Sequence, residues 1–123
     1  MVFNVVARNQ DDHTRNIAFL MDQAGQWRLA PAFDVTWSYN PAGSWTHRHQ
    51  MSINGKRDDF TRADLLAVAQ QHGLRDAADL IEQVTAAVAD WPRFAKETGV
   101  KSGQQRTISR THRLALGGKR HAY

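Results

Sequence analysis

The sequence predicts an α+β chain, mainly α, in which a catalytic-type loop and a short β-hairpin are followed by a helical bundle. Three observations carry this expectation. The turn "DQAGQ" separates two apolar runs, "IAFLM" and "WRLA". Apolar residues recur at helical spacing only after Thr61. Between them, Val35 to His49 is rich in Trp, Ser, Asn, Pro and Gly, as a long irregular loop would be.

The elements follow in order. The opening "VFNVVA" is β-branched and apolar, which leans towards a strand but also fits the end of a buried helix. The polar run "RNQDDHTRN", Arg8 to Asn16, reads as a loop. Gly25 permits the tight reversal of the hairpin, Pro31 closes its second strand, and Asp34 sits just beyond. Trp37, Tyr39 and Trp45 are expected to pin the following loop to the core. "INGK", Ile53 to Lys56, carries the Asn-Gly pair of a tight turn, and its lysine is a weak candidate for a phosphate contact.

Thr61 is placed to cap a helix, with Asp64 three residues on near the positive end of the dipole, and Gly73 ends it. A longer helix is expected from near Arg75, with Ala77, Leu80, Ile81, Val84 and Val88 inward. Pro92 should kink or restart it, since proline lacks a donor and clashes with the preceding turn. Ser102 and Gln105 fit a capping box for a last helix with Ile108 and Leu114 inside.

Composition bounds the function. With 123 residues, 41% hydrophobic and 23% charged, the chain reads as one soluble domain or one lobe of a larger one. The absence of cysteine excludes disulfides and thiolate metal sites. No apolar run approaches membrane-span length and no signal pattern opens the chain, so a cytoplasmic location without membrane contact is the default expectation. The net charge is +4 and unevenly spread. No acid follows Glu97, whereas Lys101, Arg106, Arg110, Arg113, Lys119 and Arg120 do. That stretch fits a solvated basic face with a frayed end, or a surface that meets nucleic acid.

Phosphoryl transfer requires a carboxylate to orient the attacking hydroxyl and oxygen ligands to hold magnesium against the phosphates. Protein kinases supply them from two segments flanking a hairpin: an Asp with an Asn five residues later, then an Asp beyond the hairpin. Asp11 and Asn16 have that spacing in "DDHTRN", and Asp34 follows "IAFLM…WRLA". A hairpin joins the ends of its flanking segments, so Asp11 and Asp34 are expected to share one magnesium–nucleotide complex.

At these residues the chain resembles the C-terminal region of the HipA family of serine/threonine kinases, the toxin halves of HipA–HipB toxin–antitoxin pairs. The likeness rests on "FNVVARNQDDHTRNIAFLM", "WRLAPAFDV" and "MSINGK", and extends from Val2 to about Val100. It implies a kinase-like C-terminal lobe, and favours a helix for "VFNVVA". It also implies Asp11 as catalytic base, Asn16 and Asp34 as magnesium ligands, and His13, Thr14, Arg15 and Phe33 as nucleotide contacts, with Mg2+ and ATP as cofactors. A HipB-like antitoxin, and DNA through it, are the implied partners.

Other readings stand beside these. Asp11 and Asp12 alone would fit a loop or capping pair; Asp34 favours the kinase-type site. Asp12 is expected to be a structural or solvated acid pointing away from Asp11. Arg15 fits a phosphate contact or an ion pair with Asp12 equally. Phe33 is expected to pack in the core in either case. His13, His47 and His49 offer a zinc alternative, without cysteine or a clear third ligand.

The chain lacks a glycine-rich phosphate loop and an upstream strand lysine. The expectation is therefore a fragment: residues 1–118 as the HipA-like region without its ATP-gripping lobe, and 119–123 as a flexible basic tail. Such a fragment is expected to be weak or inactive alone and to expose apolar surface, covered by self-association or by a separately encoded N-terminal piece. Three functions compete: a kinase catalytic lobe for a protein substrate, a basic binding module, and a metal-dependent nuclease or phosphatase using Asp11, His13 and Asp34.

Overall fold

The computed structural model describes residues 1–117. The tail expected at 119–123 lies outside the described residues. The fold is α+β and mainly helical. Its elements are helix α1 (Val2–Ala7), a 3-10 turn (Thr14–Asn16), strands β1 (Phe19–Met21) and β2 (Trp27–Leu29), and helices α2 (Arg62–Gln71), α3 (Ala77–Ala89), α4 (Trp91–Glu97) and α5 (Ser102–Ser109).

"VFNVVA" is helix rather than strand. Val2, Val5 and Val6 fall at i, i+3 and i+4, so one helical face carries all three inward. Val5 joins Ile53, Phe60, Leu65 and Ile81 in one buried cluster. Val6 and Ala7 join Val88 in a second, and Val2 and Leu116 touch both. Burying a valine contributes roughly 1.5–3 kcal/mol, more than the small helix penalty of a β-branched side chain. Packing against α3 therefore overrides the local preference. Arg8 then turns left-handed at φ 59° and ends the helix.

β1 and β2 pair antiparallel, with Phe19 opposite Leu29 and Met21 opposite Trp27. Asp22 shapes the reversal: its carboxylate accepts from the backbone of Ala24 and Gln26, each at 2.9 Å. Gly25 takes φ 78°, which a side chain would strain. Neither face of the hairpin is covered: Phe19, Trp27 and Leu29 are each at least 60% exposed.

The helical part is punctuated largely as its residues dictate. Thr61 and Asp64 form a reciprocal capping box at the start of α2. At its end Leu74 N–H reaches Ala69 O at 2.9 Å and Gly73 N–H reaches Gln70 O at 3.2 Å, with Gly73 left-handed. Asp90 separates α3 from α4, which restarts with Pro92 in its first turn, where a missing N–H costs nothing.

Several expectations need correction. α3 starts at Ala77, and its Leu80 is 48% exposed. Ser102 lies inside α5 rather than capping it, because the extended residue is Lys101. Gln105 instead donates from Nε2 to Val100 O at 2.6 Å. Leu114 falls outside the helix and is 43% exposed. Trp45 is exposed and pins nothing, whereas Trp37 Nε1 donates to Thr111 Oγ1 at 2.8 Å and Tyr39 stacks under Arg8.

Candidate functional site

The polar loop leaves α1 at Arg8 and is clasped at once. Gln10 N–H donates to Ser38 O and Ser38 N–H to Arg8 O, both at 3.0 Å, forming a parallel bridge at Asn9 and Ser38. The hairpin closes the other side: Ala30 N–H donates to Ala18 O at 2.9 Å. Two independent ties thus bring the residues around Asp34 back to the loop. Asp34 itself is left-handed, at φ 53°.

The two segments enclose a cleft of about 490 Å³. Asn16, Phe33 and Asp34 line it, with Asn9 and Asp12 from the polar loop and Met51 to Ile53 opposite. Phe33 is 45% exposed and forms cleft wall, not core as expected. Asp11 is half-buried and does not line the cleft; its main chain is tied there, since Asn16 Nδ2 donates to Asp11 O at 3.0 Å. This bond consumes a donor of Asn16 and leaves Oδ1 as an oxygen donor.

His13, Thr14 and Arg15 sit on the adjoining turn, outside the cleft wall. Thr14 and Arg15 are exposed. His13 Nδ1 is buried without a hydrogen-bond partner among the described residues. Arg15 has no ion pair with Asp12, which is engaged elsewhere.

Asp12 points inward. His49 Nδ1 donates to its Oδ2 at 2.7 Å, and Gln50 N–H to its Oδ1 at 2.7 Å. Burial pushes the Asp12 carboxyl up, but the hydrogen bond and charge of His49, with the Gln50 and Met51 N–H groups, hold it below the usual carboxylate range. His49 is fully buried, edge-on to Phe60, with Nε2 at 3.4 Å from Arg113 Nη1. Arg113 also pairs with Asp58. Its backbone N–H meets Val6 O at 2.8 Å, while Arg8 Nε donates to Thr111 O at 3.0 Å. The chain from Thr111 to Arg113 therefore straps the root of the polar loop.

The histidines expected as a zinc alternative do not converge. His49 is committed to Asp12, and His47 Nδ1 lies 2.8 Å from Gly43 O. Among the described residues no group of three or more His, Asp or Glu side chains could hold a metal ion. Lys56, weighed as a phosphate contact, pairs with Asp64 at 2.8 Å. With Asn54 donating to the same carboxylate, the "INGK" turn docks on the start of α2.

Sequence reasoning missed Asn9 and Gln10, and did not foresee His49 and Arg113 as supports of the polar loop. Asn9 and Gln10 carried a signal, being uncharged amides just before Asp11. Gln10 is fully buried, accepting from Arg8 Nη1 at 2.8 Å and donating to Thr46 O at 3.2 Å. His49 and Arg113 gave none, since their partners are distant in sequence.

Among the described residues no helix is long and apolar enough to cross a membrane. No curated protein and no solved structure matches the chain. A family model does: residues 1–91 match the HipA-like C-terminal domain, spanning α1, the polar loop, the hairpin, α2 and α3. The chain belongs to the HipA-like C-terminal domain family.

Proposed function

We propose that this chain is the catalytic lobe of a HipA-like serine/threonine kinase and that its cleft takes magnesium with ATP. The observation that carries this is the meeting of Asn16 and Asp34, from opposite sides of the hairpin, in one cleft wall. One carboxylate and one amide oxygen suit a hard cation that draws its remaining ligands from phosphate and water. Magnesium bound there supplies positive charge against the phosphate oxygens.

Each residue then has a task. Asp11 orients the hydroxyl of a protein substrate and takes up its proton as the oxygen–phosphorus bond forms and ADP leaves. Asn16 and Asp34 hold the ion, and Phe33 gives an apolar wall. His13, Thr14 and Arg15 lie on the adjoining turn, from which the phosphates or base would be met. Of these, Arg15 suits phosphate best, being a guanidinium outside any ion pair among the described residues. A HipB-like antitoxin, with DNA through it, and a cytoplasmic setting go with this reading. The exposed apolar hairpin supports self-association, to be checked as concentration dependence in sedimentation velocity.

Calorimetric titration with Mg·ATP tests the reading. Binding should require magnesium, be lost in Asp34→Ala and persist in Asp11→Asn. Autophosphorylation by the 123-residue chain should be weak or absent. Steeply salt-dependent DNA binding that ignores Asp34, with no nucleotide binding, would instead identify a basic binding module.

A further inference from the structure

We propose that Asn9 is a positioning residue: it holds Asp34 in its left-handed conformation and so aims the acid of the cleft. The inference deepens, and rests on, the reading of this cleft as a magnesium–nucleotide site.

Asp34 takes φ 53°, a region uncommon for residues other than glycine, although Asp and Asn enter it more readily than most. A neighbouring hydrogen bond therefore helps decide whether it is kept. Its side chain is exposed and makes no hydrogen bond or ion pair among the described residues. The backbone of Asp34 therefore decides from where the carboxylate projects, and no side-chain partner among the described residues does so. The group that reaches this backbone is the Asn9 amide, whose Nδ2 donates to Asp34 O at 3.3 Å.

Asn9 is itself immobilised. It is only 3% exposed, and its backbone N–H donates to Asn4 O at 2.9 Å. The bridge to Ser38 fixes its main chain, and its second side-chain proton is taken by Asn4 Oδ1 at 3.2 Å. A primary amide suits this place because one nitrogen serves two acceptors. A carboxylate of the same shape has no proton to give, and a hydroxyl has only one. Asn9 also lies two residues before Asp11. The strand of chain that presents the proposed base thus also sets the proposed metal ligand, so both are positioned by one buried side chain and its bridge.

The test uses isotope-labelled full-length chain carrying Asn9→Ala or Asn9→Asp. In the ligand-free state, the Asp34 carbon shifts and its HN–Hα coupling should leave left-handed values, while core signals of Val5 and Leu65 stay in place. Mg·ATP affinity should fall roughly tenfold, as is usual when a ligand's support is removed. Unchanged Asp34 signals in either folded variant would overturn the proposal, whether or not Mg·ATP binds. If Asp34 moves but Mg·ATP binding is indifferent to Asp34→Ala, the positioning stands and the reading of the cleft fails. Should neither variant fold, the unmodified chain decides: a coupling transmitted across the hydrogen bond from Asn9 Nδ2 to the Asp34 carbonyl carbon supports the proposal, and its absence overturns it.

Discussion

His49 Nδ1 lies 2.7 Å from Asp12 Oδ2, with both side chains buried and the two residues 37 positions apart in sequence. The pair fastens the polar loop from beneath, immediately beside Asp11. Removing one member of a buried pair leaves the other without its partner, which costs about 3 kcal/mol or more. His49→Leu is therefore expected to lower stability by that amount in urea unfolding, with Asp11 and Asp34 chemically intact.

The same pair predicts a pH dependence. The folded pKa of Asp12 is depressed, so between the folded and unfolded pKa values the unfolded chain binds more protons. Its contribution is present above about pH 4 and lost as pH falls through the lower folded value. The stability gap between wild type and Asp12→Asn should therefore be widest near neutrality and narrow below pH 4. A gap constant from pH 7 to pH 3 would contradict this origin.

At the start of α2, Asp64 accepts from Lys56, Asn54 and Thr61, and these partners, Lys56 foremost, hold its carboxyl well below the usual range. Thr61→Ala should cost about 1 kcal/mol, the usual value of an N-cap. Asp64→Ala should cost more, about 2 kcal/mol, because the "INGK" turn is released as well. Guanidinium unfolding of the two variants would establish the order.

Two glycines are expected to respond in opposite directions to alanine. Gly73 is left-handed at φ 66° in open space, so Gly73→Ala should destabilise by about 1 kcal/mol through backbone strain alone. Gly103 is helical with nothing near its missing Cβ, so Gly103→Ala should be neutral or stabilise by up to about 1 kcal/mol. Thermal melts of both would show opposite shifts.

Trp27 is 67% exposed, opposite Met21 on the hairpin and outside both buried clusters. Trp27→Ser should change stability by no more than about 0.5 kcal/mol, whereas Leu65→Ala, at a residue 1% exposed, should cost about 2–5 kcal/mol. Paired urea curves separate these outcomes.

What was legible in the sequence was local. Thr61 with Asp64, Asn54 with Gly55, and Gly73 act within a few residues, and each does what its chemistry dictates. The hairpin was legible too, and through it the return of Asp34 towards the polar loop, although Asp11, the residue expected to meet it, does not line the cleft. The Ser102 and Gln105 motif misled because Lys101 takes the extended position, a choice the motif does not encode. The β-branched content of "VFNVVA" leaned towards strand while the family resemblance favoured the helix that forms, because the choice is decided by α3, about eighty residues away. The supports of the polar loop were hidden for the same reason, since Asp12, Arg8 and Val6 are held by His49, Thr111 and Arg113, and no spacing rule links such pairs.

The strap from Thr111 to Arg113 lies beyond residues 1–91, the part that the family model recognises. The recognised part and the part that packs around the polar loop therefore do not share a boundary in this chain. A gene trimmed to the recognised domain would keep every residue proposed for the chemistry. It would still strip Val6 O and His49 Nε2 of Arg113, and Arg8 Nε of Thr111 O.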